Sequence, residues 1–440
     1  MVSAALAVML TAGTIGATGI AGAATATPGG NASGGSFANT AKSQTLVGPK
    51  GSGLTRGVTS NTIKVGCIET AADYAGYSDG INAAFAAANK KGVNGRKFTL
   101  VPCLDDANSP QTNLTDAQQL VNQNSVFSIL DLSANTLPPT TNFVNQNQVP
   151  TYGWGFDPGF CGLRWTYGWN GCLAGETLPS SNPLSKTVQG SLALPMVATS
   201  GLSKSAVKVA LQSDTLPASI AANTAEKNLF QGLGYKVVLD ANNFPTSATG
   251  VDFTPFVQAI MSSGANIVYL SLQFASIPGL AASLRAAGYK GDIMDFTTYA
   301  PGLLASSSQL AQALQGEYVN TQVVPQEGGG AYVNSVLAAL KAIGKPAFMT
   351  LGASIGYAEA EQLIQMVQAA GANLNTKTFD QAVSSGKVTS FSNQPAGGPG
   401  KLLWPAGHFL ASDCAAILKI SGTNYIVKNS FKCYPMYKVG

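Results

Sequence analysis

Short apolar runs alternate along this chain with segments whose apolar residues recur at helical spacing. TIKVGCI (62–68) is the first such run, of strand rather than helix length. After Gly80, the residues Ile81, Ala84, Phe85 and Ala88 recur as they would on one buried helix face. RKFTLVPC (96–103), VFSILDL (126–132) and VPTYGW (149–154) predict three further strands, with helices expected over 111–123 and 139–147. Continuous apolar strands separated by amphipathic helices are the mark of a parallel sheet covered on both faces.

A second series of the same kind begins at AVKVALQ (206–212). Strands are expected at 235–240, 266–272, 292–296 and 317–324, and helices over 217–231 and 253–263. Ile277, Leu280, Ala281 and Leu284 mark one more helix. The pattern then changes. Helices are expected over 331–343, 356–370 and 377–385 without clear strands between them, and 402–435 reads as antiparallel. Two strand–helix series predict an α/β protein of two lobes rather than one long sheet.

Composition narrows the function classes. The chain has 440 residues, 45% of them hydrophobic, enough for a sizeable core. Only 10% are charged, and the net charge of +4 is spread without a basic stripe, which argues against a nucleic-acid partner. Residues 1–26 are apolar or small and end near Ala21-Gly22-Ala23, as a secretory signal peptide does. No Lys or Arg precedes the apolar stretch, compatible with a start further upstream. The alternative, a retained anchor, is weakened because Gly and Thr dilute the run. Residues 27–60, rich in Gly, Ser, Thr and Ala, read as a flexible leader. Export implies a compartment where disulfides persist.

The six cysteines allow fifteen pairings. Chain order suggests three local ones: Cys67 with Cys103 on neighbouring strands, Cys161 with Cys172, and Cys414 with Cys433. With no CxxC and a single histidine, His408, no metal site is expected. No cofactor is expected either. The first cysteine, Cys67, lies far from the cleavage site, so the protein does not read as a typical lipoprotein.

Several stretches, in their order and spacing, resemble the branched-chain-amino-acid-type solute-binding proteins of ABC transporters. They are GVTSNTIKVG (57–66), GINAAFAAANKKGVNGRKFTLVPCLDDANSP (80–110), VFSILDLSAN (126–135), IGYAEAEQLIQMVQAAG (355–371) and KLLWPAGHF (401–409). The resemblance covers about 60–440. It implies a type I periplasmic-binding-protein fold, with two α/β lobes joined by three crossovers that close on a ligand like a hinge. One lobe is expected to comprise 61–195 and 325–388, the other 196–324 and 389–440. The implied role is extracytoplasmic capture of a small polar or aromatic molecule for an ABC importer permease, by a monomer. A secreted sensor domain with the same fold is the alternative.

Ligands bind beyond the carboxyl ends of parallel strands, where loops and helix N-termini expose N–H groups. The candidate ligand residues are therefore at strand ends: Tyr74, Ser133, Ala134, Asn135 and Trp154 in the first series, Gln273, Phe274, Thr298 and Tyr299 in the second. The resemblance places carboxylate-binding groups at Ser133–Asn135. It also implies a carboxylate and a Tyr for an α-ammonium in the second lobe, where this chain has Thr297 and Ser276. Asp295 is the nearest acid and lies within a strand. A zwitterionic amino acid is thereby disfavoured against aromatic acids, amides and other small polar molecules. CGLRWTYGWNGC (161–172) holds Arg164, Trp165 and Trp169 in one loop. It is expected to be stapled packing near the site, with Trp154 the better ligand residue.

One enzyme reading competes. GASIG (352–356) matches the G-x-S-x-G nucleophile elbow, and Ser354, Asp380 and His408 follow the chain order of an α/β-hydrolase triad. The pattern is permissive in a chain with 49 glycines, and no HGGG-like oxyanion segment precedes it. A binding protein without a catalytic step is the expectation.

Overall fold

The computed structural model describes residues 27–28, 36–173, 178–247, 249–386, 388 and 404–439. The expected signal peptide lies outside them. Strand β1 (Thr27–Pro28) and helix α1 (Ser36–Lys42) precede the first series. That series runs β2 (Thr62–Glu69), α2 (Tyr77–Asn89), β3 (Lys97–Leu100), β4 (Leu104–Asp105), α3 (Pro110–Asn122), β5 (Ser128–Leu132), α4 (Pro138–Gln146), β6 (Thr151–Gly153) and β7 (Thr166–Gly168). Its strands form one parallel sheet in the order β3-β2-β5-β6-β7, with β4 also on β2. β5 and β6 are buried at every position, as strands covered on both faces must be.

Strand β8 (Thr187–Gln189) and α5 (Leu194–Ser200) lead into the second series. It comprises β9 (Lys208–Asp214), α6 (Pro217–Gly232), β10 (Lys236–Phe244), α7 (Thr254–Ser263), β11 (Ile267–Ser271), α8 (Ile277–Ala286), β12 (Asp292–Asp295), α9 (Leu303–Ser306), α10 (Ser308–Ala313) and β13 (Tyr318–Thr321). The helices α11 (Ala331–Ala342), α12 (Leu351–Ala370) and α13 (Thr376–Ser384) follow. The chain ends in β14 (Cys414–Ser421), β15 (Asn424–Cys433) and β16 (Met436–Lys438). The second sheet runs β10-β9-β11-β12-β13-β14-β15, parallel except for the last two strands. The expected two-lobe α/β architecture with antiparallel C-terminal strands is present. β16 pairs instead with β8 and β1 in a small antiparallel sheet.

Glycines set how α12 lies against α2. A Cβ on Gly80 of α2 would meet the Ala353 carbonyl oxygen at 2.0 Å, and one on Gly356 the Tyr77 carbonyl oxygen at 2.3 Å. Backbone therefore touches backbone. A buried hydrogen bond from the Tyr77 hydroxyl to Glu359 crosses the same seam.

Three expectations need correction. Residues 36–57 are not a free leader but a strap bound to the first lobe. Val47 bridges Leu163, the Trp165 indole N–H donates to the Pro49 carbonyl at 2.8 Å, and Arg56 donates to the carbonyls of Val126 and Asn147. These contacts use backbone groups and single side chains, so no periodicity announces them. The loop 161–172 contributes a strand, β7, to the first sheet. Helix α12 starts at Leu351, earlier than the expected 356, with the Thr350 side chain accepting from the Ala353 N–H at 3.1 Å as its N-cap. It thereby takes GASIG into its first turns.

Candidate functional site

The cleft between the sheets is walled by both lobes. Tyr74, Ala134, Trp154, Phe156 and Asp157 line it from the first series. Ala218, Ser219, Ala222, Leu270–Gln273, Phe296 and Thr297 line it from the second. Its empty volume, counted out to the open mouth, is about 460 Å³. The lining residues sit where β6, β11 and β12 end and where α6 begins, the place at which a parallel sheet opens to a ligand. A row of small residues on α6 leaves the space, since Ala218, Ser219 and Ala222 occupy its first turns.

Aromatic rings form the first-lobe wall. Tyr74 and Trp154 stand 5.7 Å apart between centroids, and Trp154 and Phe156 6.3 Å apart. Trp169 meets Trp154 edge-on at 5.9 Å from behind. Gly155 permits this arrangement: a Cβ there would lie 1.9 Å from the Gly171 carbonyl oxygen, so the strand-end loops touch directly.

Of the nine sequence candidates, Tyr74, Ala134, Trp154 and Gln273 line the cleft. Ser133, Asn135, Phe274, Thr298 and Tyr299 do not. Ser133 is fully buried; its hydroxyl donates to Asp106 and accepts from the Asn135 N–H at 2.9 Å and from Thr70 at 3.1 Å. It holds the strand-end turn together and is already engaged within the protein. Asn135 donates through its amide to Asn108 at 2.7 Å. Thr298 donates to Asp295 at 2.5 Å, which also accepts from the N–H groups of Thr297 and Thr298. The Tyr299 hydroxyl donates to Glu327 at 2.8 Å. In each case a strand-end polar residue closes its own turn, the competing role for these residue types.

Sequence reasoning missed Phe156, Asp157, Phe296 and the α6 residues. The signal for Phe156 and Asp157 is their position just past the β6 end. The signal on α6 is the run of small residues after Pro217.

Carboxyl groups crowd this cleft. Asp157 is fully buried, and neither of its oxygens has a hydrogen-bond partner. Burial, then the neighbouring Asp131 and Asp106, pushes its pKa well above the usual carboxylate range. Asp131 is raised in the same way, chiefly by burial. Asp73 is pushed up to about 6, again mainly by burial, while the backbone N–H groups of Ala275 and Phe274 in the opposite lobe favour its ionised form. Asp214, also at about 6 through burial, accepts from the N–H groups of Leu216 at 2.9 Å and Gln273 at 3.2 Å. No Lys, Arg or His is among the described residues that line the cleft.

The disulfides join Cys67 to Cys103, Cys161 to Cys172 and Cys414 to Cys433. Inside the second of these loops, Trp165, Tyr167 and Trp169 are at most 1% exposed. Trp165 stacks on Phe379, and Tyr167 packs on Tyr152, Trp404 and His408. Arg164 forms an ion pair with Asp380 at 3.0 Å. The loop is packing.

The hydrolase constellation does not assemble. Ser354 sits within α12 and donates to the Met349 carbonyl at 3.2 Å, whereas an elbow needs a strand-to-helix turn. Asp380 is occupied by Arg164 and the Gly51 N–H. His408 is fully buried, with burial holding its pKa at about 3. Gly352 and Gly356 serve the contact with the Tyr74 and Tyr77 backbone, which explains the motif.

The sequence profile of the periplasmic binding protein family matches residues 62–424. No curated protein matches the sequence. Among solved structures, a solute-binding protein of an ABC transporter from R. palustris in complex with 4-hydroxybenzoate is similar, with 18% identity, a TM-score of 0.66, and coverage of 85% of this chain and 98% of the other. A fatty acid ABC transporter substrate-binding protein from Thermomonospora curvata matches with 18% identity and a TM-score of 0.67, over 88% of this chain and 95% of that one. A leucine binding protein from Thermotoga maritima matches with 17% identity and a TM-score of 0.65, over 84% and 98%. These likenesses concern the fold, and the profile match over most of the chain concerns descent. The chain belongs to the periplasmic binding protein family.

Proposed function

We propose that this protein is the extracytoplasmic solute-binding component of an ABC importer, capturing a small polar or aromatic molecule between its lobes. The observation that carries the reading is the cleft, walled by strand-end residues of both sheets and rich in aromatic side chains. A ligand that touches both walls binds the closed arrangement better than an open one, and so shifts the equilibrium between them. The closed form is then the one presented to the importer permease. Solved structures of the same fold include solute-binding proteins in complex with 4-hydroxybenzoate and with benzoate and a fatty acid substrate-binding protein, which agrees with a cleft lined largely by apolar and aromatic side chains. A reading without a catalytic step is supported by the serine, aspartate and histidine of the hydrolase pattern, which are engaged or buried elsewhere. Among the described residues no helix is long and apolar enough to cross a membrane.

A thermal-shift screen of the purified protein against amino acids, amides, aromatic acids, amines, short peptides and sugars tests this. A ligand at 100 times its dissociation constant adds about 2.7 kcal/mol, a clear rise in melting temperature. Saturable stabilisation that is weakened by Trp154→Ala is the expected result. A complete absence of saturable hits across these classes would sink the reading.

A further inference from the structure

The cleft's chemistry singles out one class of ligand, an inference that rests on the solute-binding reading above. We propose that it is built for a small organic cation, an alkyl- or arylalkylammonium. Asp157 is its counter-charge, and Tyr74, Trp154, Phe156 and Phe296 are its walls.

Three observations converge. Asp157 belongs to the cleft wall, is fully buried, and has both carboxylate oxygens without a hydrogen-bond donor. The Thr136 hydroxyl lies nearby but makes no well-formed bond to it. Ionising a carboxyl buried without donors is costly, so without a ligand it keeps its proton; an ammonium brings both the counter-charge and the N–H donors that allow it to ionise and form a charge-assisted bond. Aromatic rings line the same space, and such rings can attract a cation through their faces while excluding the water that would compete. Leu270, Leu272 and Ala222 offer an apolar surface for the carbon portion.

The third observation is what an anion would meet. Asp157, Asp73 and Asp214 stand in or beside the cleft, with Asp106 and Asp131 behind them, all coupled electrostatically. No basic residue lines it, and the Ser133 hydroxyl donates to Asp106. At neutral pH Asp73 and Asp214, held at about 6, are mostly ionised, so a ligand carboxylate would meet their charge with no side-chain cation lining the cleft to answer it. The acid that the second lobe does not offer an ammonium, since Asp295 is consumed by its own turn, is supplied here from the first lobe.

The test is calorimetric titration of the purified protein at neutral pH with benzylamine, benzyl alcohol and benzoate. These probes share a ring and one substituent carbon and differ in charge. Benzylamine is expected to bind at least tenfold more tightly than benzyl alcohol, with benzoate weaker than both. Asp157→Asn should weaken benzylamine at least tenfold, removing its advantage over benzyl alcohol. The comparison in the unaltered protein stands by itself if the variant folds poorly. Benzoate binding as tightly as benzylamine, or benzylamine binding no tighter than benzyl alcohol, overturns the assignment, and so does failure of all three to bind. In each case the solute-binding reading survives if another class in the broad screen gives a saturable hit, and falls only with the whole screen.

Discussion

Replacing Gly352 with alanine tests how the α12 seam governs the cleft. An added Cβ would stand 2.3 Å from the Tyr74 carbonyl oxygen, 2.7 Å from its carbonyl carbon and 2.8 Å from the Ala75 carbonyl oxygen. The first contact is more than 1 Å inside ordinary van der Waals approach, which begins at 3.4 Å. Alanine is favoured over glycine within a helix by about 1 kcal/mol, so propensity alone predicts stabilisation. The obstacle is main chain, however, and α12 is a 20-residue helix locked against α2 by Gly80 and Gly356. Relief requires the Tyr74 loop to move by about 1 Å, and forced repacking of this kind costs about 1–3 kcal/mol. The net expectation is a loss of up to about 2 kcal/mol, read as a lower urea midpoint with the slope unchanged. Tyr74 is a cleft wall, so any cleft ligand should bind several-fold more weakly as well. Gly328→Ala is the control, because the nearest atom to its Cβ is 3.9 Å away. A Gly352→Ala protein as stable as its parent, with unchanged ligand affinity, would refute the backbone-contact account.

Four further outcomes are expected. Asp214 and Asp295, both buried and held at about 6, bind protons more tightly in the folded than in the unfolded chain. Their stabilising contribution is complete below the unfolded carboxylate range and is lost as pH rises through 6, so the melting temperature should rise between pH 8 and pH 5; a fall over that interval contradicts the burial argument. Ser133→Ala removes one of the donors to Asp106 and the side-chain acceptor of the Asn135 N–H, and should cost about 1–3 kcal/mol in denaturant titration. Replacing Cys161 and Cys172 together by serine opens a loop with a sequence separation of 11 and should cost roughly 2–3 kcal/mol, visible in calorimetry. Ser354→Ala should leave ligand affinity unchanged and bring no loss of hydrolytic turnover, checked by titration and an ester-hydrolysis assay.

The repeating strand–helix pattern was legible because each parallel strand is buried on both faces, which leaves an unbroken apolar run such as TIKVGCI or NIVYLSL. Strand ends could be read for the same reason, and with them Tyr74, Trp154 and Gln273. Less legible was which strand-end residue faces the cleft and which turns back to cap its own loop. Ser133 and Thr298 have the composition of ligand-binding groups, but carboxylates buried nearby, Asp106 and Asp295, claim their hydroxyls. That competition depends on residues brought together from different strands. The strap over 36–57 was invisible to periodicity because it docks through carbonyls and single side chains. GASIG shows the converse hazard. A short pattern known for catalysis arises here from two glycines one helical turn apart, placed where another backbone passes.

The small sheet of β1, β8 and β16 has a practical consequence for reporting on the molecule. β16 lies beyond the last strand of the second sheet, yet its register places Met436 opposite Gln189, Tyr437 opposite Val188 and Lys438 opposite Thr187. The final stretch of the chain is thus stitched to the segment through which it first leaves one sheet for the other. A fluorophore coupled to an engineered cysteine at Lys438, which is exposed, would sit on this small sheet and not at the cleft. Paired with a second dye on the exposed Ala75 beside the cleft mouth, it converts ligand capture into a change of energy transfer, with no need to know in advance which solute the protein carries.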